Sequence, residues 1–305
     1  MIAIHGIASC LGEEVPISSL HAEGLSREIL VQLAVRGVSR FHRAERSLLE
    51  LAEASARATL CAAKLAAEDI DVLLFASNSL RVEDHQLDIS HCLLRVLDLD
   101  RAYVHGICFQ NCGDCILALR TAEGLVASGQ ARRVLIVFAD RVCDAGVPRI
   151  LRHAYIHSDG AASCVVERAA AGFAIGRSAI EHSAERRPND PDDPDNLMNL
   201  DINLDRFAER ARTRFVDGSV VRFDRIITHN INRIFNHRLA RLFGVPAEQV
   251  VGTEGLGHCL ASDVLINLAA LEDGAVRNVL VFTPTRRSFG VMALSRIAPE
   301  DRAHA

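Results

Sequence analysis

The chain has 305 residues, 49% of them hydrophobic, and a formal net charge of -5. This is enough apolar sequence for one large domain or two fused halves, and the acidic balance argues against a nucleic-acid binder with a broad basic surface. Nine cysteines, an odd number spread from Cys10 to Cys259, do not form a secreted disulfide framework and suit a reducing cytoplasm. The start MIAIHGIASCLGEE has no basic head, and its apolar run soon meets an acidic pair, so neither a signal peptide nor a membrane span is expected.

In chain order, the continuous apolar runs of strands buried on both faces lie at residues 2–8, 72–76, 134–139, 162–166, 225–228 and 279–283, with a further apolar strand at 103–108. Helical periodicity fills 44–67, 112–128, 231–243 and 260–271, with Gly129 and Gly244 as stop signals. The proline-rich acidic stretch 185–201 shows no periodicity and reads as a surface loop. It lacks the spacing and central glycine of a calcium-binding EF-hand loop.

The alternation repeats at large scale. IDVLLFASN (70–78) pairs with FDRIITHN (223–230), HGICFQNCGDCILAL (105–119) with VGTEGLGHCLASDVLINL (251–268), ASGQARRVLIVFADR (127–141) with EDGAVRNVLVFTPTR (272–286), and SDGAASCVVE (158–167) with SFGVMALSR (288–296). Four pairs in one order predict an α/β fold of two pseudo-symmetric halves, residues 1–170 and 171–305. Cys112, His229 and His258 would meet where they join, at strand ends, the position where open α/β sheets bind ligands. Cys112 stands between a strand and a helix, where unpaired N–H groups and the helix dipole favour a thiolate. A buried, inert cysteine is the plain alternative.

These residues carry a resemblance. The Cys-bearing junction followed by ASGQARRVLIVFAD, then SDGAAS (158–163), THNIN (228–232) and GLGHCLASD (255–263), in this order over nearly the whole chain, resemble a thiolase-fold condensing enzyme of the 3-oxoacyl-ACP synthase III type. The resemblance implies a layered αβαβα fold. It also implies that Cys112 takes an acyl group from CoA or an acyl carrier protein, with no cofactor beyond phosphopantetheine-linked substrates and no metal. His229, within an HxxN motif supported by Asn232, would then stabilise an enolate during decarboxylative condensation with a malonyl thioester. It further implies a cytoplasmic protein, paired as a homodimer or with a related ketosynthase, with Arg233, Arg238 and Arg241 placed to dock an acidic carrier protein.

Departures narrow this expectation. His258 replaces the family's asparagine, and an imidazole can act as a base, which opens transfer of the acyl group from Cys112 to an alcohol or amine without condensation. A non-catalytic partner subunit is a third alternative. TPTRRSFG (283–290) replaces the family's glycine-rich loop, so Pro284 offers no N–H, and Arg286 and Arg287 enter the site's edge. The chain has no tryptophan, so the aromatic platform for CoA adenine is missing near Val31, which favours carrier-protein substrates. Cys108, Cys112 and Cys115 also match a C-x3-C-x2-C iron–sulfur spacing, although Asp114 stands where that signature has an aromatic. The remaining histidines, among them His153, His157, His182 and His237, read as surface or packing residues.

Overall fold

The computed structural model describes residues 1–80, 88–108, 110–142, 148–151, 155–182, 194–252, 255–271, 275–285 and 288–297, with backbone only for 194–202. Ten strands form one mixed sheet: β1 (Ile2–Leu11), β2 (Val72–Ala76), β3 (Tyr103–Ile107), β4 (Arg133–Asp140), β5 (Gly160–Arg168), β6 (Phe173–His182), β7 (Arg225–Ile227), β8 (Val250–Val251), β9 (Asn278–Pro284) and β10 (Ser288–Arg296). Their spatial order is β3-β2-β4-β5-β1-β6-β10-β9-β7-β8. Each strand of the first five therefore has its counterpart five places later, at the mirrored position. The four sequence pairs fall on these counterparts, and the division at 170/171 falls in the turn between β5 and β6. The two halves join through β1 and β6, where Ala3 faces Ala174 and Ile4 faces Phe173.

Helices α1 (Arg27–Val35), α2 (Leu48–Ala63), α3 (Ile89–Val96), α4 (Asp114–Ala127), α5 (Pro194–Ala211), α6 (Arg233–Phe243) and α7 (Asp263–Ala269) complete the layers. Alternation along β4 shows how. Leu135 and Val137 pack outward with Leu51 and Ala56 of α2 and Leu93 of α3. Val134, Ile136 and Phe138 face inward onto Ile116 and Leu119 of α4 and Val264 and Leu268 of α7. On the far side, Leu280 and Phe282 of β9 meet Phe207 of α5 and Phe243 of α6. The order of layers is thus helix, one half of the sheet, helix, the other half, helix, a thiolase-like α/β fold. The fully buried Ile116 and Leu119 each contribute about 1.5–3 kcal/mol, and they fix the central helix that follows Cys112.

Local chemistry sets the helix ends. Ser47 Oγ accepts from Glu50 N at 3.3 Å and Glu50 Oε2 accepts from Ser47 N at 2.7 Å, a capping box that starts α2 at Leu48, not at residue 44. Asn232 Oδ1 accepts from Phe235 N at 2.8 Å, so α6 begins at Arg233. Gly244, at φ 68°, closes it.

Several expectations are corrected. The stretch 112–128 is not one helix: a 3-10 turn spans Asn111–Gly113 and α4 starts at Asp114, whose Oδ1 accepts from Gln110 N at 3.1 Å. The expected helix 260–271 divides likewise into a 3-10 turn, Leu260–Ser262, and α7. The expected loop at 185–201 gives way to α5 from Pro194 onward, because a first-turn proline sacrifices no helical hydrogen bond. Residues 185–193, His153, Arg286 and Arg287 lie outside the described residues. No described helix is long and apolar enough to cross a membrane.

Candidate active site

Three chain segments converge at the strand ends: the 3-10 turn after β3 with Cys112, the segment after β7 with His229 and Asn230, and the loop 255–262 leading into α7. The last is pinned to the first half. His258 N donates to Ile156 O at 2.8 Å and Ser158 N donates to His258 O at 3.0 Å. Gly257 permits this approach, since it sits at φ +73° and a Cβ there would lie 2.4 Å from Ser158 Oγ.

The half-buried Cys112 then has its Sγ 3.1 Å from His258 Nε2. On the other edge of the ring, His258 Nδ1 hydrogen-bonds Asp263 Oδ2. A carboxylate only accepts, so Nδ1 carries a proton and Nε2 is the nitrogen left to exchange one with sulfur. Asp263 is fully buried and saturated. Its Oδ2 also accepts from Asn230 N at 2.8 Å, and its Oδ1 accepts from Asn230 Nδ2 at 2.9 Å and from Cys259 N at 2.8 Å. Asn267 Nδ2 donates to Asn230 Oδ1 at 2.9 Å and to Thr228 O at 2.8 Å, locking the asparagine.

Burial alone would lower the His258 pKa. Charge on the Cys112 sulfur and on Asp263, with hydrogen bonds to both, outweighs it and raises the value to about 10. His229 goes the other way. Its ring lies 5.1 Å from that of His258, and its Nδ1 is 3.8 Å from Asp263 Oδ2, too far for a hydrogen bond. Among the described residues neither ring nitrogen has a hydrogen-bond partner. Burial, and then repulsion by charged His258, push its pKa down to about 3. Asp114, two residues beyond Cys112, is pushed up to about 6 by burial.

The buried, neutral His229 has a consequence for stability. Its folded pKa lies below the unfolded value of 6.5, so the unfolded chain gains a proton that the native state refuses as pH falls from 6.5 toward 3. Stability is lost in that window. Substituting His229→Leu removes the penalty, worth about 2 kcal/mol at pH 5. The variant's melting temperature relative to the parent should therefore be higher at pH 5 than at pH 8; an equal difference at both pH values would show that His229 is protonated in the native protein.

Among the described residues, His229, His258 and Asp263 form the one group with the spacing of metal ligands, their donor atoms lying within 4.8 Å of one another. They do not fit an ion well, because both oxygens of Asp263 are already engaged. Cys108, Cys112 and Cys115 form no such group. Cys108 is exposed, whereas Cys115 is sealed in the central core with its thiol pKa raised by burial.

The other sequence-derived residues are placed as follows. Asn232 caps α6. Arg233 and Arg241 are exposed, and Arg238 pairs with Asp205 of α5 at 2.7 Å. Val31 is 61% exposed on α1. Pro284 ends β9 opposite Phe289. His237 and His182 are exposed, as expected, and His157 is buried against His258. Sequence reasoning missed Asp263, Asn230 and Asn267. The available signal was an acid five residues after His258 at a helix start, together with amides placed to satisfy it.

The profile of the family 3-oxoacyl-[acyl-carrier-protein] synthase III matches residues 109–183, about a quarter of the chain. No curated protein matches. Among solved structures, the chain is similar to 3-oxoacyl-[acyl-carrier-protein] synthase III from Aquifex aeolicus VF5, at TM-score 0.79 and 20% identity over 97% of this chain and 100% of that one. It is also similar to the acyltransferase ChlB3, at TM-score 0.80 and 19% identity over 98% of each chain. A third is the priming β-ketosynthase of the R1128 polyketide pathway, at TM-score 0.79 and 20% identity over 97% of this chain and 96% of that one. The fold is thiolase-like. At these identities the likeness is one of fold, and chemistry has to be argued from the site.

Proposed function

We propose that the protein is an acyltransferase in which Cys112 takes an acyl group from a carrier-protein or CoA thioester and His258, oriented by Asp263, directs its transfer to an alcohol or amine. The observation that carries this reading is the hydrogen bond from His258 Nδ1 to Asp263. Once the Nε2 proton has gone to the departing thiolate and the Cys112 sulfur is acylated, this bond leaves His258 with a lone pair on Nε2, the form of a base and not of an oxyanion donor. In the first half-reaction the Cys112 thiolate attacks the thioester carbonyl, and the departing thiolate takes the proton from His258. In the second, the acceptor O–H or N–H gives its proton to His258 Nε2 as it attacks the acyl carbon, and the Cys112 sulfur leaves. Asp263 stabilises the imidazolium that precedes the first half-reaction and re-forms in the second.

Decarboxylative condensation with a malonyl thioester, the leading expectation from the resemblance, is the second reading. Neutral His229, whose ring nitrogens have no partner among the described residues, favours it, since such a group can donate to a developing enolate. A non-catalytic partner subunit would have no chemical need for the linked Cys112, His258 and Asp263.

Incubation with acyl-carrier protein should give an acyl adduct by mass spectrometry on the wild type and none on Cys112→Ala. Equal labelling of both would remove Cys112 as nucleophile. The loaded enzyme should then yield ester or amide with a panel of alcohols and amines and release no carbon dioxide from malonyl-carrier protein. Carbon dioxide release with a condensed product would establish the second reading instead.

A further inference from the structure

His157 precedes Ser158 in the strand-end segment that pins His258. Its imidazole stacks on that of His258, with ring centroids 5.5 Å apart and planes inclined by 29°. The ring is tied at its far edge: Nδ1 lies 2.8 Å from Pro148 O. A carbonyl only accepts, so this nitrogen carries the proton. The main chain repeats the connection, because His157 N donates to Arg149 O at 2.8 Å while Ile156 and Ser158 on either side bond His258. Tyr155 closes the corner, its ring edge-on to His157 at 5.2 Å and to His258 at 5.5 Å.

Burial first, then charged His258 and Arg149, lower the His157 pKa to about 4 against the opposing pull of the Pro148 carbonyl and Asp263. Of three neighbouring imidazoles, the middle one carries the charge, and His157 is a neutral plate against its face. Among the described residues the His258 ring is hydrogen-bonded to Asp263 and Cys112, one at each ring nitrogen, and two such bonds leave the ring free to tilt about the line between them. A stacked ring resists that tilt.

We propose that His157 is a positioning residue that fixes the ring plane of His258 and so holds Nε2 on the Cys112 sulfur. The inference rests on the reading of His258 as the base that serves Cys112. A misplacement of about 1 Å at such a contact costs up to about 100-fold in rate.

The test measures iodoacetamide alkylation of Cys112 in the full-length protein as a function of pH, with acyl-adduct formation from acyl-carrier protein as a second readout. Neither needs an acceptor, so failure of the alcohol or amine transfer step leaves the test intact. His157→Ala should slow acyl loading roughly 10- to 100-fold and displace the pH profile of alkylation, while circular dichroism and thermal melting verify that each variant is folded. His157→Phe, which keeps a flat ring but loses the bond to Pro148, should restore loading to within a few-fold and return the profile. His157→Gln, which can bond Pro148 but cannot stack, should not. An alanine variant with wild-type loading and profile, or rescue by glutamine and not by phenylalanine, would overturn the proposal.

Discussion

Substituting Asp263→Asn should lower the rate of acyl transfer by roughly 10⁴-fold with little change in KM, the loss seen when the orienting carboxylate of a nucleophile–histidine–acid triad becomes an amide. The cause lies in the donors around it. Each carboxylate oxygen of Asp263 accepts two hydrogen bonds, Oδ1 from Cys259 N and Asn230 Nδ2, Oδ2 from Asn230 N and His258 Nδ1. An amide has one oxygen. If that oxygen keeps the Oδ1 position, its NH₂ faces His258 Nδ1 and forces the proton onto Nε2, the wrong tautomer for a base next to Cys112. If it keeps the Oδ2 position, NH₂ meets two N–H donors. Single-turnover transfer from pre-acylated enzyme isolates this step, and a variant within ten-fold of wild type would remove Asp263 and His258 from proton transfer.

The second large effect is expected on stability. Asp159, 1% exposed, binds Arg149, 11% exposed, through two contacts of 2.9 Å. The same carboxylate accepts from Ala44 N at 3.0 Å and Val142 N at 3.1 Å. Arg149 Nη1 also donates to His157 O at 3.1 Å, so this pair underpins the segment against which His258 is set. Removing one partner leaves a buried, unpaired charge, at a cost of about 3–5 kcal/mol. Arg149→Met should therefore lower the melting temperature by on the order of 10 °C. The double variant with Asp159→Leu should lose less than the sum of the two single changes, because each member of a coupled pair is costly chiefly when the other remains. Strict additivity in thermal melts would show that the two groups act independently.

The architecture was largely legible in the sequence because strands buried on both faces are written as unbroken apolar runs, as in Val72–Ala76, where all five residues are buried. Duplication was legible for the same reason. β6 was not, since only Phe173 and Ala179 of FAIGRSAIEH are buried and polar residues interrupt its apolar run. α5 was obscured by prolines, which a helix tolerates in its first turn. At the site, Cys112, His229 and His258 could be found from the chemistry of their residue types at strand ends. Asp263 and Asn267 were harder to single out, since a helix-start acid and a mid-helix amide have ordinary structural uses, and only folding brings them to Asn230 and His258.

The apolar strand runs, the paired halves and the presence of one thiol and two imidazoles at the strand ends were thus determined by sequence, through hydrophobic periodicity and repeated motifs. Which imidazole holds a proton was decided by tertiary structure alone. His229 and His258 are both buried to 1% exposure. They differ because the Asp263 carboxylate is hydrogen-bonded to His258 and 3.8 Å from His229, and because Cys112 faces only the former within hydrogen-bond distance. Those contacts join segments far apart in the chain, and in a medium where burial penalises every unpaired charge they separate two like residues into a charged one and a neutral one.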